Sequence, residues 1–278
     1  MTAQQNLTYT AHCQSCNTPN KAQSIICGKL FNMPVMCRCE KEKYDKETTA
    51  IAEMERKAKI ERMRCGGIPR RFMHDWTIEN GKRKAPEVMN KAQSYVDKWE
   101  INKQKNRGLL LWGNVGRGKT YFATATANAL IDKGISVKMT SFPRILDDLT
   151  GFSVKNRTEY IERLIRYDLL IIDDLGVERK TDFGQEIVYN VIDQRILSNK
   201  PLIITTNLTL DQLKNPSDVT GARIYDRVLS VCYPICFNGD NLRGKAYEVA
   251  KAENAEEQQA KSYDINKLQQ QFESGVFA

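Results

Sequence analysis

Between residues 108 and 237 short apolar runs alternate with amphipathic stretches. "GLLLWG", "ISVKMTS", "YDLLIIDD", "PLIITTN" and "SVCYPICF" have the length of strands and are largely apolar on both faces. A strand that is apolar on both sides is covered above and below, which predicts a parallel sheet. Helical spacing separates these runs, over 119–132, 142–149, 157–166, 182–198 and 221–229. Strand and helix in alternation predict an α/β fold, a five-stranded parallel sheet flanked by helices.

Upstream the texture differs. Residues 40–64 contain no Gly or Pro and are dense in helix formers, with Ile51, Met54, Ala58 and Met63 as a thin apolar stripe on a charged helix. The glycines and proline of "CGGIPRRF" are expected to end that helix. A second polar helical segment covers 86–103, where Val88, Ala92, Tyr95, Val96 and Trp99 are spaced for one buried face. Residues 1–39 lack long apolar periodicity, and the last thirty or so are rich in Gln, Glu, Lys and Asn, as in a peripheral helix or a tail. The expected organisation is a small N-terminal domain with its charged helix over 1–66, a linker and lead-in helix over 67–107, the α/β domain over 108–245, and a polar tail over 246–278.

Composition narrows the class. The 278 residues are 41% hydrophobic and 27% charged, enough for a real core and unlike a low-complexity chain. The net charge of +8 favours polyanionic partners without proving one. No apolar run reaches the roughly 20 residues that span a bilayer. The N-terminus lacks the basic-then-apolar layout of a signal peptide, so a cytoplasmic location with reduced cysteines and no membrane partner is expected. Five of the eight cysteines nonetheless fall in the first forty residues. Cys13 and Cys16 in "HCQSC" and Cys37 and Cys39 in "MCRC" could complete a tetrahedral zinc site, which would hold together a segment with little core of its own. Cys27 is a possible substitute ligand and His12 a poorer one. Reduced, unliganded cysteines are the alternative.

The chemistry concentrates in "GNVGRGKT", which fits G-x-x-x-x-G-K-[ST] between a strand and a helix. In such a loop, backbone amides from Gly113, Asn114, Val115, Gly116, Arg117 and Gly118 turn inward on a phosphate. The following helix, beginning Lys119, Thr120, Tyr121, presents its positive dipole end there. Lys119 can reach the β- and γ-phosphates, and the Thr120 hydroxyl can join a Mg²⁺ shell. About fifty residues later, "DLLIIDDLG" ends an apolar strand in Asp173, suited to holding Mg²⁺, and Asp174, suited to polarising an attacking water. "LIITTN" ends in Thr205, Thr206 and Asn207, polar groups that can orient water at a strand tip, or serve only the turn. In "GARIYDRVLS", Arg223 and Arg227 share a helix face, either as a surface pair near Asp226 or as an arginine offered to a neighbour's phosphate. Arg243 in "NLRGKAY" could reach phosphate in cis. Arg70, Arg71, Phe72 and Trp76 combine cations with aromatics, as a single-strand platform would, although Phe72 and Trp76 read more simply as residues lashing the linker to the core.

In this order, these residues resemble the AAA+ ATPase module, and more narrowly the bacterial and phage helicase loaders of the DnaC and DnaI group, with the transposition helper IstB as a sister. The resemblance covers about 66–245, with "GNVGRGKT" as Walker A, "LLIIDDLG" as Walker B, "ITTN" as sensor 1, "RIYDRV" as the arginine-finger box, "NLRGKAY" in place of the group's "SYR" ending, and "IPRRF" as lead-in. It implies an ATPase using ATP and Mg²⁺, with Asn207 as sensor 1, Arg227 as a finger acting in trans and Arg243 as a later phosphate sensor. It also implies a hexameric replicative DNA helicase, single-stranded DNA and further copies of the chain as partners. DnaI-like loaders carry a similar cysteine-bearing N-terminal domain that contacts the helicase, whereas IstB-like helpers lead with a plain helical one. Asp174 stands where most AAA+ proteins have Glu. A carboxylate one methylene shorter implies slow hydrolysis, a timing switch more than a motor, and a non-hydrolysing ATP-bound adaptor is the further alternative.

Overall fold

The computed structural model describes residues 8–26, 28–151, 156–176, 181–216 and 218–239. Two compact units divide the chain, one ending at Arg62 and the other beginning at Met63.

The first unit opens with three antiparallel strands, β1 (Thr8–His12), β2 (Pro19–Ile26) and β3 (Lys29–Pro34), in the order β1-β2-β3. The boundary between units falls inside α1 (Arg38–Gly67). Among the described residues before Arg62, only Ala22, Ser24 and Cys37 are buried. So small a core leaves a three-stranded sheet marginal in water. Ile51 and Met54 of α1 are 58% and 71% exposed and Ala58 is exposed too, so most of the expected apolar stripe lies in solvent, and only Met63 at its end is half-buried. The helix ends at Gly67, inside the "CGGIPRRF" segment where the sequence predicts its end. Within the second unit, the last residue of α1 lies so close to the chain at Val137 that a Cβ on Gly67 would come 2.3 Å from the Val137 carbonyl oxygen. Glycine there serves close approach, and it is the last residue of the helix.

The second unit continues with a 3₁₀ turn (Arg71–Asp75), α2 (Ile78–Lys82), α3 (Pro86–Asp97) and α4 (Trp99–Gln104). The 86–103 segment, which reads as one helix, is broken at Lys98 (φ −96°, ψ 22°). Ala92, Tyr95, Val96 and Trp99 are buried as the spacing requires, and Val88 is half-buried.

The sheet follows: β4 (Gly108–Trp112), α5 (Lys119–Asp132), β5 (Val137–Ser141), α6 (Phe142–Thr150), α7 (Arg157–Arg166), β6 (Leu169–Leu175), α8 (Asp182–Leu197), β7 (Leu202–Thr206), α9 (Leu210–Lys214), α10 (Val219–Val231) and β8 (Cys232–Cys236). All its pairings are parallel, in the order β5-β6-β7-β4-β8. The α/β reading and its five strands hold. Leu110, Leu111, Ile171, Ile172, Ile203 and Ile204 in the three central strands are wholly buried, as strands covered on both faces must be. Helix α5 is itself buried on nearly every side, with Phe122, Ala123, Ala125 and Ala127 at 0% exposure. Its threonines, poor helix formers, are accommodated because the Thr124 and Thr126 hydroxyls donate to the carbonyls of Thr120 and Phe122, at 2.8 Å each.

Candidate nucleotide site and cysteine centre

The parallel order brings the carboxyl ends of β4, β6 and β7 to one edge of the sheet, where α/β proteins bind ligands. The "GNVGRGKT" loop turns there between β4 and α5. Gly113 sits at φ 134°, and a Cβ on it would come within 2.6 Å of the Phe237 carbonyl oxygen, so no other residue fits. Gly118 caps α5 in the left-handed conformation, φ 90°. Asn114 and Val115 are exposed, while Gly116, Arg117 and Gly118 are half-buried.

Lys119, only 5% exposed, extends its ammonium along the inside of this loop. It donates to the carbonyl oxygens of Gly113 (2.7 Å) and Asn114 (2.8 Å) and to Oδ1 of Asn207 (2.8 Å), beyond the end of β7. A buried ammonium is tolerated only where acceptors surround it. Beside it, the Thr120 hydroxyl lies 3.1 and 3.2 Å from the two carboxylate oxygens of Asp173, which also accepts from the Thr205 hydroxyl at 2.6 Å. Burial raises the Asp173 carboxyl above its ordinary value, reinforced by the Asp174 charge and opposed by the Thr205 and Thr120 hydroxyls and by Lys119. A carboxylate desolvated in this way, with a hydroxyl at its side, suits a hard divalent cation with oxygen ligands. Asp174 follows in the left-handed region, φ 59°, with its amide on the Thr205 hydroxyl at 2.9 Å.

Tyr121 turns from the loop. Its ring stacks on Trp76 (5.0 Å between centroids, 24° between planes) and its hydroxyl donates to the Thr77 carbonyl oxygen. Trp76 thus ties the lead-in segment to the core. Phe72 differs from the packing expectation. The 3₁₀ turn sends Met73 inward (5% exposed) and leaves Phe72 56% exposed, edge-on to Trp76 and under the Arg70 guanidinium.

On α10, Arg223 is exposed. Arg227 is held across to α8, with Nη1 2.6 Å from an Asp193 carboxylate oxygen and Nη2 donating to the Tyr189 hydroxyl at 2.9 Å. No spacing rule points to Asp193 or Tyr189, because the pairing exists only where the two helices pack. Arg243 and the tail lie outside the described residues.

In the first unit, the turn between β1 and β2 carries Cys13 and Cys16, and the chain from β3 into α1 brings Cys37 and Cys39 to the same place. The turn is closed by the Cys13 amide on the Thr18 carbonyl oxygen and the Asn17 amide on that of Cys13, both 2.9 Å. The four Sγ atoms lie within 4.8 Å of one another. A hydrogen bond with Thr18 lowers the Cys16 thiol to about 5, while Cys37, Cys13 and Cys16 push Cys39 up to about 12. Four thiols at this separation form a set that could hold zinc. Among the described residues His12 stands outside the group, and Cys27 lies outside the described residues. Cys232 is an ordinary buried thiol, pushed up to about 12 by desolvation.

Among the described residues, no helix is long and apolar enough to cross a membrane. A sequence profile described as IstB-like ATP binding protein matches residues 39–250. The chain is 30% identical over 219 residues to YqaM of Bacillus subtilis, covering 73% of this chain and 66% of that protein. It is 29% identical over 151 residues to the replicative helicase loader DnaI of the same organism, spanning only 48% of that protein and 50% of this chain. A crystal structure of DnaI superposes with a TM-score of 0.52 at 26% identity, covering 63% of this chain and 94% of that one. With more than half its length matched, this chain belongs to the IstB-like ATP-binding family, an AAA+ group that includes helicase loaders.

Proposed function

We propose that the protein is an ATP-dependent loader of a replicative DNA helicase. The observation that carries the nucleotide half of this reading is the convergence of Lys119, Thr120, Asp173 and Asn207 from three different elements at one sheet edge. In this reading the backbone from Gly113 to Tyr121 cradles the triphosphate, and the Lys119 ammonium exchanges its carbonyl acceptors for β- and γ-phosphate oxygens. Thr120 and Asp173 hold Mg²⁺, which when bound offsets the charge that develops on the phosphates. Asp174 polarises the attacking water, and Asn207 orients it while sensing whether Lys119 is engaged. Asp174, shorter than the usual Glu, makes turnover slow. Arg227 swings from Asp193 to a neighbour's γ-phosphate when ATP joins adjacent copies, and Arg243 acts on phosphate in cis. Zinc on Cys13, Cys16, Cys37 and Cys39 organises the N-terminal unit that grips the hexameric helicase, while the ATPase domains follow single-stranded DNA. The setting for all of this is the cytoplasm.

The cysteine-bearing segment ahead of residue 39, where the family match begins, supports loading over the IstB-like delivery of DNA to a transposase. The test is co-purification with the host replicative helicase, with and without ATP, using the full chain and one lacking residues 1–66. The reading requires capture by the full chain and loss of capture in the shortened one. Recovery of a transposase, or equal capture by both, would overturn it.

A further inference from the structure

The two acids of the site stand at a defect in the sheet. β6 and β7 run in register through Ile172 and Ile204, and again at Leu175 and Thr206. Between these pairs, two residues of β6, Asp173 and Asp174, face a single residue of β7, Thr205. An extra residue of this kind is rare between parallel strands, and where it occurs it re-aims side chains next to functional sites. Consecutive residues of a regular strand point to opposite faces, and the extra residue breaks that alternation at the two acids. Holding the defect requires Asp174 in the left-handed region at φ 59°, sparsely populated by residues other than Gly.

Thr205 is wholly buried and stands opposite the defect. Its hydroxyl donates to an Asp173 carboxylate oxygen at 2.6 Å and accepts the Asp174 amide at 2.9 Å. One side chain thus fixes the carboxylate of the first acid and the backbone of the second. Its neighbour Thr206 offers a contrast. That hydroxyl donates to the Leu175 carbonyl oxygen at 2.7 Å and accepts the Leu208 amide at 3.1 Å, backbone groups of neither acid.

We infer that Thr205 is a positioning residue for ATP hydrolysis, whose hydroxyl aims the Asp173 carboxylate at Mg²⁺ and holds Asp174 turned toward the attacking water. This rests on the reading of Asp173 and Asp174 as the magnesium and water acids. Methyl in place of the hydroxyl, as in Val, or its loss altogether, as in Ala, would leave the phosphate loop intact and the acid pair misaligned.

The test compares Thr205→Ser, Thr205→Ala and Thr205→Val with the parent in the full chain. Two quantities are read: ATP turnover, and the affinity for a fluorescent ATP analogue with and without Mg²⁺. The Ser variant retains the hydroxyl and should stay within about threefold of the parent in both, whereas the Ala and Val variants should lose about ten- to a hundredfold in kcat. They should also lose the tightening of nucleotide binding by Mg²⁺ while keeping the Mg²⁺-free affinity. Thr206→Ala should lower thermal stability and leave the Mg²⁺ dependence alone. Equal behaviour of the Ser and Ala variants overturns the inference. So does a fall in turnover with Mg²⁺ dependence unchanged, or a failure of both hydroxyl-free variants to fold, since the hydroxyl would then serve stability only. Asp173→Asn and Asp174→Asn separate the two levels. If they turn over ATP like the parent, the reading of the acids has failed, whereas if they are inactive and the Val variant matches the parent, only the role of Thr205 has.

Discussion

The Lys119 ammonium lies 2.8 Å from Oδ1 of Asn207, joining the first residue of α5 to the residue just past β7. The cation proposed to bind phosphate and a strand-tip amide 88 positions away therefore share a hydrogen bond, which in the proposed reading a γ-phosphate would break or bridge. Replacing Lys119 by Ala removes a charge-assisted contact worth about 2–3 kcal/mol, roughly a hundredfold in Kd. Equilibrium dialysis with ATP in magnesium buffer is expected to show that loss.

Asn207→Ala should behave differently. Asn207 is exposed and bonds the ammonium through its side chain alone, so its removal leaves the cradle intact. Nucleotide affinity is expected to stay within a fewfold, while turnover drops on the order of a hundredfold. A parallel loss of affinity in the same titration would contradict the sensing role.

Asp174→Asn removes the proposed base while keeping the size of the side chain. Steady-state phosphate release should fall by about a hundredfold or more, with ATP binding unchanged. Turnover equal to that of the parent would mean that this chain uses ATP as a structural ligand, or that another group takes the proton.

If Arg227 acts on a neighbour, the specific ATPase activity of the parent should rise with protein concentration. Arg227→Ala should lose that rise and about a hundredfold in rate. Because the guanidinium also bonds Asp193 and Tyr189 within its own chain, a thermal melt must accompany the assay. Loss of rate without loss of stability is the expected pattern.

The cysteine centre should bind one zinc per chain, measurable by elemental analysis of the purified protein. Chelation or Cys16→Ser is expected to expose the first unit to protease, since its described part buries only Ala22, Ser24 and Cys37. ATP binding by the second unit should persist. Zinc-free protein with a protease-resistant N-terminus would refute the assignment.

Arg195 sets a prediction of another kind. It is wholly buried in α8 and donates to the carbonyl oxygens of Ile165, Tyr167, Asp168 and Pro201. Burial lowers its guanidinium to about 10. Arg195→Met would leave these acceptors unsatisfied, costing about 3 kcal/mol or more, and Arg195→Lys would recover little because an ammonium lacks the planar fork. Urea midpoints for the two variants check this.

Local pattern alone determined the parallel α/β core, since strands apolar on both faces and helices of regular spacing follow from side-chain period. It also determined the glycine-rich turn between β4 and α5, where Gly113 meets a backbone demand that no side chain could. Each cysteine pair was legible because the spacing within it is short-range, and the fold brings the two pairs together. Tertiary structure decided the rest. The close approach of Gly67 to the Val137 carbonyl, which leaves no room for a Cβ, is not legible from glycine propensity. The outward turn of Phe72, the hold of Asp193 and Tyr189 on Arg227, and the burial of Arg195 exist only between elements distant in the chain. The same is true of the Thr205 hydroxyl. "DD" and "TTN" can be read singly, but an extra residue in β6 opposite one in β7 arises from register, and register is set when strands meet in space.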